Sequence, residues 1–336
     1  MKKTFRLLCL LIVCVMTISL FAGCAPRRKA GDPPVFTSDK RVVMKIGDYN
    51  VSYDFYRFLF LNSIDFFDNG DKEYWNEEGN DAEKVKEYVL ESLLELYAYF
   101  TLADDYDVKL SNADLSEIEA ELKDAKTGMT EEDFKKEIAT AYLTEELYLF
   151  SLKTQKLKQL VYSKLISENE GIIQVDDATL DKALEEDFVR ASHILFTYNN
   201  DSEKEKQKAL AETVLERLKN GEDFEELREE YTDDTSVSGN KDGYYFTHGE
   251  FQNMFEYAAF ELEIGEFSEV VTTNVGMHIV KRLPLEEDYI NKNYETLRMQ
   301  CITAKFYDLV NAVKEGLRVE YNDEYKDIKL NSFDEE

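Results

Sequence analysis

Basic residues, cysteine and histidine are all scarce in this chain, and each shortage rules something out. Lysine and arginine number 40 against 70 aspartates and glutamates, for a formal net charge of −30. Such a chain repels phosphate backbones, which excludes nucleic acid as a partner. The acidic excess reads as a solvated face that favours solubility, not as a set of cation sites. Of four cysteines, Cys9, Cys14 and Cys24 fall near the start, leaving Cys301 alone in the rest. One thiol forms no internal disulfide and no cysteine metal site. Histidine occurs three times, at His193, His248 and His278. Its placement is therefore informative.

The chain begins with a leader. Lys2, Lys3 and Arg6 make a positive n-region, and an apolar run from Leu7 to Phe21 follows. That run is too short and wrongly flanked for a spanning helix and reads as an export signal. Leu20-Phe21-Ala22-Gly23-Cys24 resembles a bacterial lipobox, although Phe21 stands where leucine is usual. The resemblance implies that Cys24 is the lipidated first residue of the mature protein; a plain secretory signal is the alternative. Either reading places the protein outside the cytoplasm. Arg27-Arg28-Lys29 would add attraction to anionic head groups, about 1 kcal/mol per charge. Pro26, Gly31, Pro33 and Pro34 mark a tether.

At 336 residues the chain has length for about two domains. Val42–Ile46 reads as a strand closed by a Gly47-Asp48 turn, and Ser52 as the cap of a helix to about Phe67. Asn80 with Glu83 suits a capping box for a second helix, whose Val85, Val89, Leu93, Leu96 and Phe100 recur at helical spacing. Further helices are predicted over 113–125, over a longer region from Thr130 to Ser167, and over 178–186. After Phe188 the pattern changes. A strand over 189–196, helices around Leu210–Leu218 and Phe224–Leu227, a strand at Tyr244–Phe246, a helix over 254–262 and strands at 267–271 and 277–283 describe an α+β domain with an antiparallel sheet. The rest is helical again and ends in a strand-like Val319-Glu320-Tyr321.

The strand Val189-Arg190-Ala191-Ser192-His193-Ile194-Leu195-Phe196 carries a histidine inside an apolar run. Alone, such a residue is a core histidine that has found a hydrogen-bond partner. It has company, however. "RASHILF" opens the domain, "GMHIVKR" closes it, and "NGEDFEELREEYTDD", an acidic loop and "FEYAAFELEIGEFSEVV" lie between. The order and spacing of these blocks resemble a parvulin-type peptidyl-prolyl isomerase domain. With the lipobox and the helical flanks, the chain resembles the PrsA family of extracytoplasmic foldase lipoproteins, and residues 42–170 resemble SurA-like chaperone regions.

The resemblance implies a fold: an α+β parvulin-like domain, an antiparallel sheet with surrounding helices, inserted in a mostly helical chaperone-like domain. The expected division is 1–23 signal peptide, 24–41 lipidated tether, 42–186 first part of the helical domain, 187–285 isomerase domain, and 286–336 a helix and strand returning to the helical domain. It implies isomerisation of Xaa-Pro bonds in unfolded or newly exported polypeptides, with chaperone activity and with no cofactor or metal. His193 and His278 match the paired histidines, and Asp234 the nearby loop acid, with Asp233 as the alternative. Phe255 matches the usual phenylalanine of the proline pocket, Phe251 stands where methionine is common, and Phe246 lies alongside. Phe260 reads as core and His248 as a surface histidine. An anionic Asp234 is expected to favour protonated or proton-donating imidazoles. The chain departs from the pattern before the pocket helix. Parvulins commonly have two glycines and then Asp-Leu-Gly-Trp-Phe, whereas this chain has Asn240-Lys241-Asp242-Gly243-Tyr244-Tyr245-Phe246. Reduced activity, or a non-catalytic holdase that only binds peptides, is the competing function.

Overall fold

The computed structural model describes residues 41–68, 72–166, 171–198, 200–235 and 243–333. The expected leader, Cys24 and most of the tether lie outside the described residues, as does the loop segment 236–242. The chain forms two compact units, one of residues 1–172 and 308–336 and the other running from Ile173 to Tyr307.

The first unit joins distant parts of the chain. Strands β1 (Val42–Ile46) and β2 (Tyr49–Ser52) make a hairpin through the Gly47-Asp48 turn, with Gly47 at φ +57°. Ser52 caps α1 (Tyr53–Asp68) as expected, its hydroxyl accepting from the Phe55 amide at 3.4 Å. It is also the last residue of β2, a strand that the sequence does not announce because it is only four residues long and runs directly into the helix. Near the C-terminus, Val319–Tyr321 pairs antiparallel with β1, so the sheet order is β2, β1, then this last strand. Helix α2 (Ala82–Asp105) starts at Asp81 rather than Asn80. The Asp81 carboxylate accepts from the amides of Glu83 and Lys84, while the Asn80 amide is occupied by the Tyr74 carbonyl. Ser111 and Asp114 form a reciprocal capping box for α3 (Asn112–Ala125). The helical region predicted from Thr130 contains two helices, α4 (Glu131–Ala139) and α5 (Glu145–Ile166). Tyr142 takes φ +59° between them, and the Thr144 hydroxyl accepts from the Leu147 amide to begin α5. Phe55, Tyr56, Phe60, Tyr97, Phe100 and Phe150 are fully buried in this unit.

The second unit is built on a four-stranded antiparallel sheet. Its elements are α6 (Asp177–Glu186), β3 (Val189–Phe196), α7 (Asp201–Lys219), α8 (Phe224–Tyr231), β4 (Tyr244–Phe246), α9 (Asn253–Glu261), β5 (Val271–Thr272) and β6 (Met277–Leu283). Helix α10 (Glu287–Gly316) follows, kinked at Asn293, and leads to β7 (Val319–Tyr321) and α11 (Asp323–Asp327). The strand order is β4-β3-β6-β5. The expected strand over 267–271 shrinks to a bridge from Phe267 to Lys281 and to Val271–Thr272. The cause is Ser268, whose hydroxyl takes the Val280 amide that a regular ladder would use.

This unit extends beyond residues 187–285 on both sides. Arg298 of α10 donates to the Val175 carbonyl and to Asp177, and the Tyr294 hydroxyl meets Asp181. These bonds tie α6 to α10, and α10 in turn meets β4 through Gln300, which donates to the Tyr245 carbonyl, and Tyr289, which stacks on Tyr245. Helix α6 and the first part of α10 thus belong with the sheet, and not with the helical part as the sequence predicts.

The period-two alternation of the central strands positions the site. Ile194, Phe196, Met277 and Ile279 point to the core under α7 and α8. Val189, Ala191 and Val280 point the other way, toward Phe246, Phe255 and Ala259 of β4 and α9. His193 and His278 fall on that second face by the same alternation.

Candidate active site

Register brings the histidines together. In the β3–β6 pair His193 lies opposite Val280 and His278 opposite Leu195, so the two rings are diagonal neighbours on one face. Their Nδ1 atoms are 2.9 Å apart and the rings stack with 15° between planes. Gly276 makes this pairing possible, because a Cβ there would stand 2.5 Å from the Phe196 carbonyl oxygen. Both imidazoles are buried, His193 8% and His278 3% exposed.

The loop after α8 sends the two acids to different partners. Asp233 Oδ2 accepts from the Thr197 amide at 2.7 Å and from its hydroxyl at 3.0 Å, closing off the end of β3. Asp234 Oδ2 instead sits 2.9 Å from His193 Nε2. Thr232 holds the loop in place, its hydroxyl oxygen accepting from the Leu195 amide at 3.0 Å and the Asp234 amide at 3.2 Å.

Two further residues, not singled out as site residues from the sequence, complete the network. Tyr244 donates its hydroxyl to Asp234 Oδ2 at 2.7 Å. Thr273 Oγ1 lies 2.8 Å from His278 Nε2. Thr273 stands five residues before His278 beside a turn, and nothing in its local pattern separates it from its neighbour Thr272. Tyr244 had a signal, as the bulky residue in a place where parvulins are small.

The network fixes the tautomers. A carboxylate only accepts, so His193 Nε2 carries the proton it shares with Asp234. With His193 neutral its Nδ1 then accepts, and His278 Nδ1 must donate to it. His278 Nε2 accepts in turn from the Thr273 hydroxyl. Protons thus point one way from Thr273 through both imidazoles to Asp234. The pKa shifts agree with neutral rings. Burial pushes His278 down to about 4, with the facing His193 adding to the drop and Asp234 opposing it. Burial also lowers His193; the Asp234 hydrogen bond and charge oppose this, and Arg228 adds to it. The expected protonation by Asp234 therefore loses to desolvation. The expected proton-donating form is what remains, through Nε2–H.

Aromatic rings flank the pair. Phe255 stands edge-on to His193 and to His278, with centroids 5.4 Å away in each case. Phe251 stacks on Phe255 at 5.2 Å and is half-buried. Phe246 contacts Phe251 at 4.7 Å but is fully buried, so it supports these rings from behind and lines no surface. Phe260 packs on the same core, and exposed His248 stacks on its face at 3.9 Å. Glu256 carboxylate oxygens accept from the Gly249 and Phe251 amides, which fixes the approach to α9.

A strand-borne histidine pair, a loop carboxylate and two phenylalanines thus lie together on one sheet face. Residues 178–283 match the PPIC-type PPIASE domain. The chain is similar to a foldase protein PrsA of Bacillus subtilis, 34% identical over 170 residues that cover 50% of this chain and 53% of the relative. It is similar also to a foldase protein PrsA of Caldanaerobacter subterraneus, 30% identical over 207 residues, 60% of this chain and 62% of the relative. The chain thus spans between about half and three-fifths of the length of these curated relatives. The crystal structure of PrsA from Bacillus subtilis is 28% identical, with a TM-score of 0.27 over 70% of this chain and 84% of the other. Among the described residues no helix is long and apolar enough to cross a membrane.

Proposed function

We propose that this chain is a peptidyl-prolyl cis–trans isomerase that acts as an extracytoplasmic foldase, held to the membrane by a lipid on Cys24 and acting on unfolded, newly exported polypeptides. The observation that carries this reading is the hydrogen-bonded sequence Thr273–His278–His193–Asp234 lying against Phe251 and Phe255.

The chemistry needs no bond to be made. Rotation about a peptide C–N bond is opposed by resonance, with a barrier of about 18–20 kcal/mol. At Xaa-Pro bonds the two isomers differ by only about 0.5–1 kcal/mol, and uncatalysed exchange takes tens to hundreds of seconds. A catalyst must stabilise the twisted amide more than the planar one. In the planar amide, resonance places negative charge on the carbonyl oxygen, and twisting removes it. A carboxylate beside that oxygen repels the planar form more than the twisted form. Asp234 would supply this charge, held in place by His193 and Tyr244. The neutral histidine pair avoids cancelling it with a full positive charge. Phe251 and Phe255 would grip the proline ring, so that rotation moves the preceding carbonyl and not the ring.

The test is a protease-free isomerisation assay on Xaa-Pro peptides with wild type and Asp234→Asn. The substitution keeps the shape and removes the charge. Wild type should accelerate exchange, and the variant should lose about 100-fold in kcat/KM, the scale of one preorganised electrostatic group. Wild type no faster than the uncatalysed rate would sink the proposal.

A second reading, a holdase that binds peptides without turnover, is favoured by one observation: the Tyr244 phenol already occupies the Asp234 oxygen that the proposed mechanism uses. Suppressed aggregation of an unfolded client without isomerisation would support it.

A further inference from the structure

Four rings close a circuit beside Asp234. Centroid separations are 5.6 Å from His193 to Tyr244, 5.5 Å from Tyr244 to Phe251, 5.2 Å from Phe251 to Phe255, and 5.4 Å from Phe255 back to His193. Two of the four, His193 and Phe255, are buried, while Tyr244 and Phe251 are half-buried. Phe246, which the sequence placed in the pocket, stands behind this circuit. The half-buried corner that it would have supplied belongs to Tyr244.

Backbone constraints hold that corner in place. Gly243 has φ +77°, and a Cβ on it would approach the Ala191 carbonyl oxygen to 2.8 Å, so β4 presses against β3 at this point. Tyr244 pairs directly with Ala191 in the ladder. Its hydroxyl is bound to Asp234 Oδ2, the same oxygen that faces His193 Nε2. Backbone pairing fixes one end of the side chain and the carboxylate the other. The ring between them cannot swing aside without losing a hydrogen bond to a charged group.

We propose that Tyr244 is the specificity-determining wall of this site, selecting small over bulky residues before proline, and that its hydroxyl positions Asp234. The inference rests on the isomerase reading for the substrate pose. With the proline ring on Phe251 and Phe255 and the preceding carbonyl toward Asp234, the residue before proline passes the Tyr244 ring. A bulky side chain there meets a wall tied at both ends, and a small one passes. A glycine at this position, the residue parvulins commonly have, would leave the corner open to a larger side chain.

The experiment compares Ala-Pro and Phe-Pro tetrapeptides, by exchange-spectroscopy turnover and by peptide affinity from chemical-shift titration. Wild type should favour Ala-Pro. Tyr244→Ala should reduce that preference about fivefold or more, the scale on which pocket shape discriminates apolar side chains. Tyr244→Leu serves the same comparison with more strand-compatible volume if the alanine variant fails to fold. Tyr244→Phe keeps the wall, so the preference should stay within twofold of wild type. Its loss of the phenol leaves Asp234 holding the His193 proton more strongly, so the acid limb of kcat/KM should move to higher pH. An unchanged preference in Tyr244→Ala or Tyr244→Leu overturns the inference. So does Tyr244→Phe changing the preference as much as the smaller residues do. Absence of turnover in wild type defeats the isomerase reading, and the affinity ratios still decide the role of Tyr244. Failure of wild type to bind either peptide defeats both.

Discussion

Nδ1 of His193 faces Nδ1 of His278 at 2.9 Å, and a single proton serves both atoms. The arrangement tolerates two neutral rings and penalises charge on either, since each added proton places a cation against its neighbour inside a dry face. The pair is therefore a point at which acid enters the fold.

The sign of the resulting pH dependence follows from the depressed histidines. An unfolded histidine binds a proton near pH 6.5, whereas His278 in the fold does so only at about 4. Between those values the unfolded chain holds more protons, so stability is present in full above about pH 6.5 and is lost as pH falls toward 4. The loss is at most about 1.4 kcal/mol per pH unit for each histidine. Urea unfolding of wild type and His278→Gln at several pH values between 7.5 and 4.5 checks this. The variant should show a shallower decline; identical slopes would mean that His278 is not the group involved.

Much of this site was legible because parvulin-like blocks bracket it. His193, Asp234, His278, Phe251 and Phe255 lie together, and register alone explains why two residues 85 apart meet. What escaped the sequence was set by tertiary contact. Thr273 looks like any loop threonine until β6 turns His278 Nε2 toward it. Phe246 and Tyr244 belong to one short strand, and only the sheet decides which is fully buried. The same holds for helix breaks. Tyr142 with φ +59° gives no local sign of a turn, and its hydroxyl bond to Asp65 forms only in the folded chain.

Thr273→Val should destabilise the fold, since it leaves the buried His278 Nε2 without its donor. An unsatisfied buried group costs about 1–3 kcal/mol. Thr273→Ser restores the hydroxyl and should recover most of that loss. If the valine variant were as stable as wild type in urea unfolding, the hydroxyl would not be the donor that His278 Nε2 needs and the tautomer assignment would lose its support.

Gly276→Ala should cost more than Gly265→Ala, although both glycines have positive φ. At Gly265 an added Cβ meets nothing within 4 Å, so only backbone strain opposes it. At Gly276 the Cβ would also lie 2.5 Å from Phe196 O and 3.0 Å from Leu195 Cδ1. Relief would push the start of β6 off β3, one residue before His278. Hydrogen exchange should therefore speed up at the Phe196–Met277 end of the ladder in Gly276→Ala and not in Gly265→Ala. Equal stability of the two variants would show that strand spacing does not set the histidine pair.

Removal of residues 317–336 should unfold the first unit under conditions that leave wild type intact. Val319–Tyr321 supplies one edge partner of β1, and the Asn322 amide extends the pairing by donating to the Val43 carbonyl. Phe333 is buried, packing at 5.4 Å from Phe60 and 5.5 Å from Tyr53, while Tyr325 stands edge-on to Tyr56 at 5.9 Å. Loss of one buried phenylalanine costs about 3–5 kcal/mol, before the unpaired strand edge is counted. Trp75 is the sole tryptophan and lies in this unit, so its fluorescence reports the unit directly. The midpoint it reports in urea should fall by at least the phenylalanine contribution. A truncated chain with an unchanged Trp75 transition would mean that the residues before Ile173 carry their own stability, and that the returning strand adds only an edge to a sheet already complete.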